Sequence, residues 1–216
     1  MRCPYLFFDL DGTLTDPAQG ICGSVQYALR RGGYPVGPLE DYFSWIGPPL
    51  LLSFREQLKV DEAEARRLLE YYRERFSNRG LLENQVYPGI PALLQRLRQA
   101  GARMAVAPGK PTVYAERILE HFGLRQYFET VSGIDLNNEP MTKQGVLQTA
   151  MTRLGSPPRE QCLMIGDRSH DAQGAAACGI DCALVLYGYG SRAEAEASSP
   201  RYIAASVAEL ETLLLG

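Results

Sequence analysis

The run Tyr5-Leu-Phe-Phe8 is apolar and aromatic for the length of a strand, and it stops abruptly at Asp9-Leu-Asp-Gly-Thr13. An unbroken apolar run reads as a strand covered on both faces, as in a parallel sheet with helices on either side. In an open sheet of that kind, ligands bind beyond the carboxyl ends of the strands. Side chains at i and i+2 point the same way while the chain stays extended, so Asp9 and Asp11 can face one site. Gly12 lets the backbone turn sharply behind them. Asp-Gly is also an ordinary turn pair. A turn alone gives no reason to place two carboxylates side by side at the end of a buried strand.

Residues 16–86 carry no strand pattern. A helix over 21–29 stops at Gly32-Gly33, and a shorter helical piece covers 39–45. Ile46-Gly-Pro-Pro-Leu50 is a stiff turn that opens another helix, with proline suited to its first turn. Asp61 is placed to cap a long helix to about residue 78, with Leu68, Leu69 and Tyr72 on one face. After Val86-Tyr-Pro-Gly-Ile90, helix and strand alternate: helix 91–100, strand 103–107, helix 111–122, strand 130–133, helix 143–154, strand 162–165, helix 171–178, strand 182–186 and helix 207–215. That alternation predicts an α/β fold, a doubly wound parallel sheet (Rossmann-like core) with an inserted all-α segment. The core is expected over 1–15 and 87–216 and the helical insertion over 16–86, with no internal repeat.

A second acidic motif follows a later strand: Ile165-Gly-Asp-Arg-Ser-His-Asp171. Asp167 stands at the strand end and Asp171 opens the next helix, where capping is its ordinary use. Asp9, Asp11 and Asp167 all fall at C-terminal strand ends, so they are expected to converge. Crowded carboxylates repel unless a cation sits among them, and an oxygen-only set favours Mg2+. Zinc would want His or Cys. His170 stands alone in the motif and is read as outside the ligand set. Lys143 begins a helix after the 135–142 connection, on the same side of the sheet. Most helix-start lysines are simply solvated, but this one is placed to pair with a carboxylate and a phosphate oxygen.

Asp-Leu-Asp-Gly-Thr (9–13), Lys143 and Gly-Asp-x-x-x-Asp (166–171), in that order and spacing, resemble the haloacid dehalogenase-like hydrolase superfamily. The helical insertion after the first motif looks like its C1 cap. Ile46-Gly-Pro-Pro-Leu50, Gly-Asp-Arg-x-His-Asp and Leu186-Tyr-Gly-Tyr-Gly190 look like the phosphoglycolate-phosphatase-like branch, some of whose members are 5′-nucleotidases. The resemblance implies a Mg2+-dependent phosphatase acting on small phosphomonoesters, phosphoglycolate-like or nucleoside monophosphates. It makes Asp9 the nucleophile, which forms an aspartyl-phosphate, and Asp11 the acid and then the base. Lys143 supports the nucleophile. Mg2+ is held by Asp9, the main-chain carbonyl of Asp11, and Asp167, with Asp171 in support. Leu10 and Gly12 offer N–H groups to the phosphate, beside Thr13 and Gly109, while Pro48 and Arg55 of the cap are candidate substrate contacts.

One position departs from the family. A Ser or Thr is expected at the end of the second core strand, and the chain has Pro108 there, which supplies neither hydroxyl nor N–H. Gly109, Lys110 and Thr112 are the neighbours placed to compensate. Two alternatives therefore stand beside the phosphatase: a phosphosugar mutase of the β-phosphoglucomutase type, and a weakly active phospholigand-binding protein. A net charge of -3 without a basic block argues against nucleic acid. Five cysteines in no Cys-x-x-Cys pair suit a reducing cytoplasm. No signal peptide or membrane-spanning run is expected, and the chain is expected to be a monomer or weak homodimer.

Overall fold

The structure, a computed structural model, describes residues 3–135 and 141–216. The chain divides into two compact units, one comprising Met1–Thr15 and Val86–Gly216, the other Asp16–Gln85. In chain order, β1 (Tyr5–Phe8) and β2 (Thr15–Asp16) precede α1 (Ala18–Gly32), a 3-10 stretch (Leu39–Trp45), α2 (Leu50–Leu58), α3 (Glu62–Arg75) and a π turn (Phe76–Gly80). Then come β3 (Gln85–Val86), α4 (Ile90–Gln99), β4 (Arg103–Val106), α5 (Thr112–His121), β5 (Thr130–Val131) and α6 (Lys143–Arg153). The chain closes with β6 (Cys162–Gly166), α7 (Ser169–Cys178), β7 (Asp181–Val185), α8 (Arg192–Ala197), β8 (Tyr202–Ala204) and α9 (Val207–Leu215).

The larger unit is a doubly wound α/β fold on a six-stranded parallel sheet, ordered β5-β4-β1-β6-β7-β8. β1 lies in its middle, with Phe8 level with Val106 on one side and Ile165 on the other. The chain builds outward through β4 and β5, then resumes on the far side of β1 with β6. Strand order therefore reverses at β1, and a binding crevice opens at such a point. Leu6, Phe7 and Phe8 are fully buried. Phe7 packs with Ala105, Met164 and apolar residues of α6 and α7 such as Leu147 and Ala175. Phe8, on the opposite face, meets Phe128 edge-on at 5.9 Å. Each buried ring contributes about 1.5–3 kcal/mol, so the strand stays apolar until it leaves the sheet at Asp9.

In the helical unit, the Asp61 side chain caps α3 by accepting from the Glu64 N–H at 2.9 Å. α1 ends at Gly33, whose φ of 81° suits glycine. Trp45 contacts Tyr42 and Phe54 edge-on at 5.7 and 5.3 Å. Arg75 joins α3 to α1 by donating to Ser24 Oγ at 3.0 Å, and it pairs with Glu83 at 2.7 Å.

Several boundaries differ from the sequence expectation. α2 starts at Leu50 with Pro49 as its cap, so the prolines stiffen the approach rather than occupy the first turn. α7 starts at Ser169, which puts Asp171 inside its first turn instead of at its opening. α8 and β8 lie outside the sequence expectation, and so do the two-residue strands β2 and β3, which pair with each other where no strand was expected over 16–86. α8 is six residues rich in Ala and Glu, started by Ser191 Oγ accepting from the Glu194 N–H, and has no apolar stripe. β8 is a three-residue edge strand. Of the 135–142 connection, residues 136–140 lie outside the described residues. Among the described residues, no helix is long and apolar enough to cross a membrane.

Candidate active site

Asp9 leaves β1 with its N–H on the Ile165 carbonyl at 2.8 Å, and Ala107 donates to the Phe8 carbonyl at 2.8 Å. These bonds hold the exits of β1, β4 and β6 level. Asp9, Asp167 and Asp171 are all buried, and one oxygen of each lies within 4.8 Å of the others. Lys143, at the start of α6, reaches Asp9 Oδ1 at 2.8 Å and Asp171 Oδ1 at 2.6 Å. Thr142 sets that helix start, its hydroxyl accepting from the Gly145 N–H.

Asp171 reaches back across the turn. Its Oδ2 accepts from the Asp167 and Arg168 N–H groups at 3.2 and 3.1 Å. It thereby orders the exit of β6 from within α7. Glu194 of α8 supports the same turn, accepting from the Ser169 N–H at 2.8 Å and the Arg168 side chain at 3.1 Å. His170 is half-buried with Nε2 unpartnered, and burial lowers its pKa.

Three glycines make room for Asp167. A Cβ on Gly12, Gly188 or Gly190 would collide with it. Gly12 also has a φ of 81°, which only glycine adopts easily. The loop after β7 closes over this point: Tyr189 N–H donates to Asp167 Oδ2 at 2.7 Å, and Tyr187 Oη donates to the Thr13 carbonyl at 3.1 Å. Asp167 Oδ1, by contrast, is buried with no partner. Burying a carboxylate oxygen unpaired is costly.

The buried carboxylates perturb one another. Burial raises the Asp9 pKa to about 6; Lys143 opposes this, while Asp171 and Asp11 add to it. Asp167 is held well above the carboxylate range by burial and by Asp171 and Asp9. Burial pulls Lys143 down, but Asp171 and Asp9 outweigh it and raise its pKa. Three carboxylates against one ammonium leave an excess of negative charge around an unpartnered oxygen, and among the described residues the candidate ligand set is all carboxylate, with no His or Cys. This donor set fits Mg2+.

The Asp11 side chain does not join this cluster. The sequence suggested carboxylates gathered in one place, but Asp11 is drawn to Lys110, a buried lysine that pairs with both its oxygens at 2.9 and 2.8 Å. Only its main-chain carbonyl remains available for the metal role. Gly12 is likewise corrected as a phosphate donor, because its N–H is taken by the Thr15 carbonyl at 2.7 Å to close the turn. Leu10 is buried, its carbonyl accepting from the Thr13, Leu14 and Thr15 N–H groups. Thr13 is buried with its hydroxyl unpartnered. Pro108 is buried, and Gly109 is exposed without a positive φ. Pro48 and Arg55 belong to the helical unit, Pro48 half-buried and Arg55 exposed.

Residues 6–185 match the haloacid dehalogenase-like hydrolase family. A 5′-nucleotidase of Pseudomonas aeruginosa is 42% identical over 214 residues, 99% of this chain and 96% of that one. Tyrosine-protein kinase PtkA of Mycobacterium tuberculosis is 43% identical over 187 residues, 86% of this chain but only 62% of its own length. A phosphoglycolate phosphatase of Pseudomonas putida is 29% identical over 98% of this chain and 78% of its own. The crystal structure of a predicted phosphatase from Clostridium acetobutylicum superposes with a TM-score of 0.93 at 42% identity, covering 98% of this chain and 97% of that one. Fold and site together define a hydrolase of the phosphatase class. The chain belongs to the haloacid dehalogenase-like hydrolase family, in its phosphoglycolate-phosphatase-like branch.

Proposed function

We propose that the protein is a Mg2+-dependent phosphatase that cleaves small phosphomonoesters, phosphoglycolate-like or nucleoside monophosphates, through an aspartyl-phosphate on Asp9. The observation that carries this reading is the buried trio Asp9, Asp167 and Asp171 around the unpartnered Asp167 Oδ1, with Lys143 on the nucleophile. Asp9, Asp167 and the Asp11 carbonyl would hold the metal, and Asp171 orients Asp167 through the turn it braces. Bound Mg2+ offsets the charge between nucleophile and phosphoryl oxygens. Asp9 attacks phosphorus and the ester P–O bond breaks. Asp11, protonated from solvent before this step, gives that proton to the departing oxygen, then takes one from the water that hydrolyses the acyl phosphate. Lys143 holds Asp9 ionised and aimed, and offers its charge to a phosphoryl oxygen. The helical unit is the counterpart of the family's cap, and Pro48 and Arg55 are its candidate substrate contacts. The five free, buried cysteines suit a cytoplasmic protein, and we propose a monomer or weak homodimer.

Incubation with Mg2+ and a panel of phosphoglycolate, nucleoside monophosphates and sugar phosphates tests this reading. Inorganic phosphate is the expected product. An isomeric sugar phosphate would mean a mutase, and saturable binding without turnover would mean a phospholigand-binding protein.

Pro108 sets the expected rate. β4 ends at Val106, level with Phe8, so Pro108 follows that strand end by two residues, at the same edge of the sheet from which Asp9 leaves β1. A missing preorganised donor in such a site costs about 2.7–4 kcal/mol, or roughly 10²–10³ in rate. Pro108→Thr should raise kcat several-fold with a smaller change in KM, because the added bond strengthens toward the transition state. An unchanged kcat in a folded variant would show that another donor already serves that oxygen.

A further inference from the structure

The roles above use Asp11 but give none to Lys110, the buried lysine ion-paired with it. Lys110 is 7% exposed and Asp11's side chain 12%, and the ammonium contacts both carboxylate oxygens. A lysine buried this deeply is uncommon unless paired, and its backbone is fixed as firmly as its charge. The Lys110 carbonyl accepts from the Ile134 N–H at 3.1 Å, and the Thr112 N–H donates to the Ile134 carbonyl at 2.9 Å. Gly133 N–H donates to Thr112 Oγ1 at 3.0 Å, and a Cβ on Gly133 would strike the Lys110 carbonyl. The loop after β4 is thus clamped to the end of β5, with its lysine aimed back at β1.

We propose that Lys110 is a positioning residue for Asp11, holding its carboxylate apart from the Asp9–Asp167–Asp171 cluster and on the leaving-group side. The geometry divides the labour between two buried lysines. Lys143 takes Asp9 and Asp171, the nucleophile and its brace; Lys110 takes Asp11. Without Lys110, the Asp11 carboxylate would be free to turn toward a bound cation, where it could not serve the leaving oxygen. This rests on the phosphatase reading and assigns Lys110 a part in it.

A protein in which Lys110 acts through Asp11 should show its loss selectively. p-Nitrophenyl phosphate releases a stable phenolate and needs no proton from the enzyme, whereas glycerol 2-phosphate releases an alkoxide and does. kcat/KM reports events up to formation of the phosphoenzyme, so Asp11's later duty as base does not enter. Lys110→Met should lower kcat/KM for glycerol 2-phosphate by about tenfold or more, part of the roughly 10²–10⁴ of general acid catalysis, and change that for p-nitrophenyl phosphate by less than about threefold. Lys110→Arg, which keeps the charge, should recover part of the loss. In an Asp11→Asn background, adding Lys110→Met should change neither substrate further. That pair also removes the buried unpaired carboxylate, so it reads the coupling even if the single variant folds poorly.

Equal losses on both substrates would mean that Lys110 grips the phosphoryl group itself, and no loss on either would make it a structural ion pair. A further drop of about tenfold in the Asp11→Asn background would mean that it acts independently. Each of these overturns the proposal while leaving the phosphatase reading intact. A wild type that releases phosphate from neither substrate overturns both.

Discussion

Asp9→Asn is expected to reduce phosphate release by about 10⁴-fold or more, the scale on which removal of a covalent nucleophile acts. Asparagine has nearly the same volume and fills the same buried space, but its amide does not attack phosphorus. The fold should persist. β1 is held by apolar residues and by main-chain bonds that the substitution leaves in place, including Asp9 N–H to Ile165 O. Lys143 loses one partner but keeps Asp171 at 2.6 Å. Removing one charge also relieves the crowding that, with burial, raises Asp9 to about 6. The melting temperature of the metal-free protein should therefore move little while turnover disappears. Phosphate release, circular-dichroism melting and mass spectrometry of acid-quenched enzyme check the three parts. The wild type should carry a phosphoryl adduct on the peptide containing Asp9, and the variant none. Residual turnover above about 1% in a folded variant would mean that another group attacks.

What the sequence showed and what it hid follow from the range of the interactions. β1 and its carboxylates are legible because an apolar run and its abrupt end are local features, and the same holds for Gly166-Asp167 after β6. Lys143 is legible as a helix start beyond a strand. The Lys110–Asp11 pair is not, because it joins residues 99 apart through the register of β1 with β4. The sequence marks Lys110 only as a neighbour of Pro108 that could serve the phosphate; its pairing with Asp11 depends on contacts distant in the chain. The four carboxylates were expected in one group for the same reason, since nothing local shows that a second buried cation separates one from the rest. Gly188 and Gly190 stand out as a Gly-x-Gly after a strand end, yet what they yield to, Asp167 and Gly12, is distant in the chain. The Gly12 N–H closes the turn onto the Thr15 carbonyl rather than facing a phosphate, and that closure depends on backbone geometry that residue types alone do not carry. α8 escaped notice because six residues of Ala and Glu carry no periodicity, although Glu194 within it braces the Asp167 turn.

Withdrawal of Mg2+ is expected to abolish activity and to lower stability in a way that depends on pH. Asp9 is raised from 3.8 to about 6, and Asp167 lies well above 3.8, so in the metal-free protein both hold protons that the unfolded chain has already lost. Where the native state binds more protons, stability falls as pH rises. The metal-free protein should thus weaken from about pH 4 upward, through about pH 6 for Asp9 and with Asp167 acting in the same direction, as carboxylates ionise against one another. Mg2+ competes with those protons for the same oxygens, so its stabilising effect must grow over the same interval. At a hundredfold excess over Kd, linkage contributes about 2.7 kcal/mol, or roughly 5–10 °C in melting temperature for a chain of this size. Thermal melts with EDTA and with saturating Mg2+ at pH 5 and pH 7.5 should show the larger gain at pH 7.5, and Asp167→Asn should remove most of it. Activity should vanish in EDTA and return with Mg2+. A gain equal at the two pH values would place the ion away from these carboxylates, and turnover that survives thorough chelation would mean that Lys143 and the main chain alone neutralise the phosphoryl group.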